Sequence, residues 1–261
     1  MADIYEKIKF SRDKNRPTAL EYAENVFDEF YELHGDGKTG DDKAVIGGIA
    51  VLDGIPVTVV GTEKGRTIEE RIERNFGLPT ASGYGKALRL MKQAEKFGRP
   101  VITFVDTQGA DCKEDAEKSG IAKAISEILS ETLKLAVPII AVLIGEGGSG
   151  GALALAAADK VFMSENAYYS VITPEACAEI LYKDVKKAAI AAEMLKPVAE
   201  ELIKINVIDG IIKEPSDFSD TEQKREYFSR VKNMLIDEIR HLSQAKNQSF
   251  IDKRYNRFRA F

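Results

Sequence analysis

The chain has 261 residues, 44% of them hydrophobic and 30% charged, and a formal net charge of -5. That length can bury one sizeable core, and the interspersed charge signs give no electrostatic case for nucleic acid as the main ligand. The N-terminus carries no apolar stretch of signal-peptide length, and nothing later reaches the roughly 18 uninterrupted apolar residues of a membrane span, so no membrane partner is expected.

In chain order, residues 17–33 place Leu20, Ala23, Val26, Phe27, Phe30 and Leu33 at helical spacing. Pro17 suits a first turn, and His34-Gly35-Asp36-Gly37 stops the pattern. This predicts a helix docked on the core or on a partner. The polar stretch GDGKTGDDK that follows marks the boundary, giving a helical extension over 1–40 and a main domain over 41–261.

Beyond it the periodicity shortens. Apolar runs over 44–52 and 56–61 meet at Asp53-Gly54, a hairpin signal. Then come a helix over 84–97, a strand over 100–106, a helix over 114–135, a strand over 138–145, a helix from about 148 to 158, and a strand over 160–163. Short helices over 174–182, 185–195 and 197–205, a strand over 207–212 and a long helix over 221–242 complete the order. Alternating strands and helices with near-continuous apolar strands predict an α/β fold. The basic, aromatic stretch over 253–261 reads as a solvated tail or an interface.

Two loops could hold chemistry. The strand over 138–145 runs into GEGGSGGALALAAAD, with five glycines among the seven residues 145–151, directly before an alanine-rich helix. Glycine is justified there by positive φ or by something that must approach the backbone closely. The following helix adds unpaired N–H groups and a positive dipole end, which together suit a phosphate or a developing oxyanion. No Gly-Lys-Ser/Thr ends the loop, and the spacing of Gly145, Gly147 and Gly150 is by itself a weak dinucleotide signal. Tight helix–strand packing explains the same glycines. The second loop, VDTQGADCKED, leaves the strand over 100–106 at the equivalent end, where Gly109 and Ala110 could offer further backbone donors. Cys112, Cys177, His34 and His241 are too scattered for a zinc site or a supported disulfide, so no metal and a reducing cytoplasm are expected.

Several long motifs, among them EKGRTIEERIERNFGLPTASGYGKALRLMKQAEKFGRPVITFVDTQGA, IGEGGSGGALALAAADKV and YYSVITPEACAEILYKD, stand in one order. From about Leu20 to about Glu214 the chain resembles the alpha subunit of bacterial acetyl-CoA carboxylase carboxyltransferase. The resemblance implies a crotonase-like fold of repeated ββα units. It also implies transfer of a carboxyl group from carboxybiotin, held on a biotin carboxyl carrier protein, to acetyl-CoA to give malonyl-CoA for fatty acid synthesis. In that family no side chain need act as nucleophile. Backbone amides of Gly147 and Gly148 are implied as the oxyanion hole for the biotin carbonyl, with Gly109, Ala110, Gly150 and Gly151 lining the substrate. The thioester hole, and a four-cysteine zinc ribbon that two cysteines cannot supply, are implied to lie in a homologous beta subunit, as an α2β2 assembly. Arg66, Arg71 and Arg74 fall inside a family motif and could meet CoA phosphates or a subunit; a solvated face is the plainer reading.

The match departs in two places. The family usually reads DTPGAYPG where this chain has Asp106 to Lys113, so Gln108 stands for a proline and the turn is expected to loosen. An arginine usually follows the aspartate of His34-Gly35-Asp36, where this chain has Gly37. Three alternatives stay open: a different acyl-CoA, a non-catalytic scaffold, and a serine hydrolase of related fold using Ser149, which would need a positioned base.

Overall fold

The computed structural model describes residues 4–244 and 247–260. Helix α1 (Ile4–Ser11) precedes α2 (Ala19–Val26), whose start is fixed by a capping box between Thr18 and Glu21. The predicted helix over 17–33 ends there. At Phe27 the backbone turns extended (φ -96, ψ 154), and β1 (Glu29–Glu32) pairs antiparallel with β2 (Val45–Leu52), setting Phe30 opposite Ala50. Phe30 serves a helical face and an alternating strand equally well, and pairing with β2 decides for the strand.

A two-residue turn at Asp53 and Gly54, both at positive φ, joins β2 to β3 (Ile55–Thr62). Next come α3 (Ile68–Glu73), α4 (Ala81–Lys96) and β4 (Val101–Thr107). The single helix expected over 114–135 is two, α5 (Glu114–Lys118) and α6 (Ile121–Thr132), separated at Gly120, whose φ of 84 leaves the helical region. The strand expected to end at 145 runs on to Gly148 as β5 (Ile139–Gly148), directly before α7 (Ser149–Ala156). Then follow β6 (Lys160–Ser164), β7 (Tyr168–Ser170), α8 (Pro174–Tyr182), α9 (Ala188–Leu195), α10 (Ala199–Leu202), β8 (Gly210–Ile212), α11 (Thr221–Leu242) and α12 (Asn247–Phe258). The helix expected over 185–195 opens with a single 3-10 turn, and the elements expected over 197–205 and 207–212 shrink to α10 and β8.

Among the described residues, eight strands form one sheet in the order β1-β2-β3-β4-β5-β6-β8, with β7 beside the end of β5. The β1–β2 and β2–β3 pairs are antiparallel and the rest parallel. Alternate residues feed two cores. Val101, Val105, Ile139 and Leu143 join Tyr84, Leu90 and Met91 of α4 and Leu155 of α7. Ile102, Phe104, Ile140 and Val142 join Tyr22 of α2 and Phe228, Val231 and Leu235 of α11. Strands covered on both faces explain the near-continuous apolar runs. Each fully buried aliphatic or aromatic side chain contributes about 1.5–3 kcal/mol.

The C-terminal stretch is not a solvated tail. In α12, Arg254 is 1% exposed and donates to the carbonyls of Thr132 (2.6 Å), Leu135 (2.9 Å) and Val137 (2.9 Å) and to the Asp159 carboxylate (2.7 Å). These carbonyls lie at and just beyond the C-terminal end of α6, where intrahelical donors run out, and the guanidinium supplies donors there. Phe261 lies outside the described residues. No helix of the described residues is long and apolar enough to cross a membrane.

Candidate active site

Strands β4 and β5 are parallel neighbours, so two segments lie side by side: the loop over 107–111, and the glycine loop over 145–151, which is itself the passage of β5 straight into α7. They touch backbone to backbone. A Cβ added to Gly148 would lie 1.9 Å from the Gln108 carbonyl oxygen, and one added to Gly151 would lie 2.4 Å from the Ala110 nitrogen and 2.6 Å from the Gly109 carbonyl carbon. No side chain fits at either place, so loop-to-loop packing requires both glycines. Gly150 differs: its added Cβ would find only Ile125 Cγ2, at 3.8 Å. The Thr107 hydroxyl closes the second loop by donating to the Gly109 carbonyl (2.7 Å) and accepting from the Gly109 N–H (3.1 Å).

Beneath the contact lies a compact charge network. Glu146 is 2% exposed. Its Oε1 accepts from Lys64 Nζ (2.8 Å) and Gln108 Nε2 (3.1 Å), and its Oε2 from Arg12 Nε (2.9 Å) and the Tyr168 hydroxyl (3.0 Å). Lys64 Nζ also lies 2.7 Å from Asp106 Oδ1, which in turn accepts the Glu146 N–H at 2.7 Å. Burial alone would raise the Glu146 pKa, but the Lys64 ammonium and then the Arg12 guanidinium outweigh it and hold the carboxyl down at about 2. The same pairing keeps Lys64 charged: burial lowers its pKa, and Asp106 and Glu146 more than compensate. Arg12 reaches on to Glu175 in the first turn of α8 (2.7 and 3.2 Å).

Two cavities flank the loops. One of about 360 Å³ opens at the start of α7 and is lined by Ser149, Gly150, Leu153, Tyr169, Leu195 and Leu202, among others. Its walls are mainly apolar, with backbone of the glycine loop at one end. A second of about 170 Å³ is lined by Arg12, Lys64, Arg71, Phe76, Gln108 and Glu146. Ser149 sits at φ 54 between strand and helix, yet its cavity is lined by no histidine, carboxylate or lysine that could serve as its base. His34 lies beside Asp41, and His241 lines a separate cavity with Asp159 and Arg254.

This arrangement has relatives. The acetyl co-enzyme A carboxylase carboxyltransferase-like family matches residues 2–261. The chain belongs to that family. It is 51% identical to an acetyl-coenzyme A carboxylase carboxyl transferase subunit alpha from Streptococcus equi subsp. equi, over 261 residues and the whole of both chains. It is 48% identical to a protein of Natranaerobius thermophilus named for subunits beta/alpha, covering 98% of this chain but only 42% of that one. The chain thus spans less than half of such combined relatives. The fold is that of a Pseudomonas malonate decarboxylase hetero-tetramer solved with coenzyme A, at a TM-score of 0.67 and 16% identity, over 83% of this chain and 86% of that one. The α/β architecture, a mixed sheet whose β3 to β8 pairs are parallel, is therefore one shared with such solved structures.

Of the residues singled out in the family's motifs, the structure brings Gly109, Ala110, Gly147, Gly148, Gly150 and Gly151 to one place. Arg66 and Arg74 are engaged elsewhere. Arg66 donates to the Lys14 carbonyl (2.6 Å) and pairs with Glu21, and Arg74 donates to the Lys43 carbonyl (2.8 Å). Arg71 is the member of that cluster lining the smaller cavity. The turn at Gln108 is not left loose: its carbonyl packs over Gly148 and its amide ties to Glu146. The changed residues after it are also anchored, Asp111 N–H to the Pro79 carbonyl (2.9 Å) and Lys113 Nζ to Asn75 (2.7 Å). Tyr168 is buried in β7, and its hydroxyl donates to Glu146. Sequence reasoning missed Glu146, Lys64 and Arg12. The one available signal was a carboxylate amid glycines in a stretch otherwise bound for burial.

Proposed function

We propose that the chain is the alpha half of a biotin-dependent acetyl-CoA carboxyltransferase, forming malonyl-CoA together with a beta subunit. The observation that carries this reading is the glycine loop at 145–151, locked against its neighbour and ending at a helix start beside an apolar cavity. A small ring system with an apolar body suits that cavity, and a polar carbonyl at its edge would meet backbone N–H groups rather than charged side chains. Carboxybiotin supplies the carboxyl group and, on giving it up, a ureido oxygen bearing negative charge. Gly147 and Gly148, with the unpaired first N–H groups of α7, are the donors we assign to that oxygen. Their positions are set before reaction, so little reorganisation is needed. Losing one such donor costs about 3 to 4 kcal/mol of transition-state stabilisation.

Partner dependence has its own support. Val171, Ile180, Leu181, Ile190 and Met194 are each more than half exposed. Val171 lines the rim of the larger cavity, and the others lie on α8 and α9. Apolar surface gathered in this way marks an interaction site. We assign it to a beta subunit that closes the cavity and brings the thioester and its own zinc ribbon, in an α2β2 assembly served by the biotin carrier protein in the cytoplasm. Arg71, the one arginine of its cluster that lines the smaller cavity, supplies positive charge for the CoA phosphates, while Arg66 and Arg74 are held by the Lys14 and Lys43 carbonyls. Malonyl-CoA decarboxylation with biocytin as acceptor, run with this chain, its beta partner and the mixture, tests the reading. Activity is expected only in the mixture, and silence there beside an active standard pair refutes it.

A further inference from the structure

We infer that Glu146 is the positioning residue of the site, its carboxylate fixing the 107–111 and 145–151 loops as one unit. The inference rests on the carboxyltransferase reading above, but its grounds are geometric. Glu146 directly precedes Gly147 and Gly148, so the orientation of its side chain and of its own N–H constrains the peptide planes that follow. Four donors fill its two oxygens, and they come from four separate segments: Arg12 after α1, Lys64 after β3, Gln108 after β4 and Tyr168 in β7. The N–H of Glu146 is held by Asp106, which shares Lys64 with the carboxylate. With every acceptor direction occupied, the side chain has one orientation, as polar networks have when fully satisfied.

Stability alone does not call for this arrangement. Apolar side chains of similar volume generally hold a core as well as a buried ion cluster does. What the cluster adds is direction. Gln108 is the link that matters most, because the same residue donates its amide to Glu146 and lays its carbonyl over Gly148. A displacement of the carboxylate therefore moves the second loop against the first. Supporting polar groups of this kind hold a reactive constellation to within about 0.5 Å of its working geometry.

The test uses the full chain with its beta partner in excess, in malonyl-CoA decarboxylation with biocytin. Glu146→Gln keeps shape and removes the charge; kcat is expected to fall about 10- to 100-fold while the KM for malonyl-CoA stays within about threefold. Gln108→Ala removes one donor to the carboxylate and no charge, and a fall of about 3- to 10-fold in kcat is expected. The double variant should be no worse than Glu146→Gln, because both act through one interaction. Hydrogen exchange supplies a readout that does not depend on turnover. Peptides over 106–111 and 145–151 should exchange faster in both variants, with α11 unchanged. Unchanged kcat in a folded variant, additive losses, or faster exchange spread equally into α11 would overturn the inference. Should Glu146→Gln fail to fold, Gln108→Ala decides alone. An inactive wild-type mixture would count against the proposed function, while the exchange comparison would still judge the role of Glu146.

Discussion

Two regions of the molecule, one at the strand ends and one on α8 and α9, are built on opposite principles. At the strand ends, charge is taken out of water and each carboxylate oxygen of Glu146 is matched twice, with backbone pressed against backbone at Gly148 and Gly151. By contrast, α8 and α9 leave Ile180, Leu181, Ile190 and Met194 turned to solvent. The first region spends desolvation to gain direction; the second leaves desolvation to be completed by another surface. A site whose electrostatics are finished within the chain, but whose wall is open, fits half of a shared active site better than a whole one.

The strongest way to break the first region is Gly148→Val. Its Cβ would fall 1.9 Å from the Gln108 carbonyl oxygen, an overlap with backbone that no rotamer relieves. The two loops must separate, and activity with the partner should drop at least about a thousandfold, equivalent to about 4 kcal/mol. Titration probes the same region without moving an atom. The folded-state pKa of Glu146, about 2, lies below its ordinary 4.5, so the unfolded chain takes up the proton first as pH falls. The pairing therefore contributes stability that is whole above 4.5 and is lost as pH drops towards 2, about 3 kcal/mol in all. Denaturant unfolding of wild type and Glu146→Gln from pH 6 to pH 2 measures this. The gap between the two proteins should close over that window, and a constant gap would contradict the assignment.

The second region answers to a different change. Ile190→Asp and Met194→Asp place charge on exposed positions, so the isolated chain should keep its stability to within about 0.5 kcal/mol. Affinity for the beta partner should fall about 30-fold or more for each residue that acts as an anchor, about 2 kcal/mol. Sedimentation of the mixture reads the one and thermal unfolding the other. Equal loss in both would mean that these helices are held by the chain's own core.

How far the sequence anticipates these regions follows from how each is encoded. Runs over 100–106 and 138–145 announce buried parallel strands because the signal is local and continuous, while the extension of β5 through the glycines to Gly148 is not legible there. Glu146 has no such trace. Its donors stand 134, 82, 38 and 22 positions away, and nothing in their spacing ties them to one oxygen pair before the sheet is assembled. Arg254 fails for the same reason: a basic, aromatic stretch reads as solvated until the carbonyls it serves, 117 to 122 residues earlier, are brought beneath it. Phe30 shows the limit of periodicity itself, since one side chain satisfies a helix face and a strand face alike.

Gly150 gives the finest division between the two regions, because it belongs to the loop but faces away from the packing. An added Cβ would meet only Ile125 Cγ2, at ordinary contact distance, and the residue lies in the first turn of α7. On folding grounds Gly150→Ala should stabilise the chain by about 0.5–1 kcal/mol, the usual gain on replacing glycine within a helix. Gly150 also lines the larger cavity, so the methyl group would enter the space assigned to the biotin ring. Higher thermal stability combined with a raised KM for biocytin would place the ligand against this residue. Higher stability with unchanged kinetics would move the ring deeper, towards Leu153 and Leu202, and leave the loop's glycines explained by their contact with Gln108, Gly109 and Ala110.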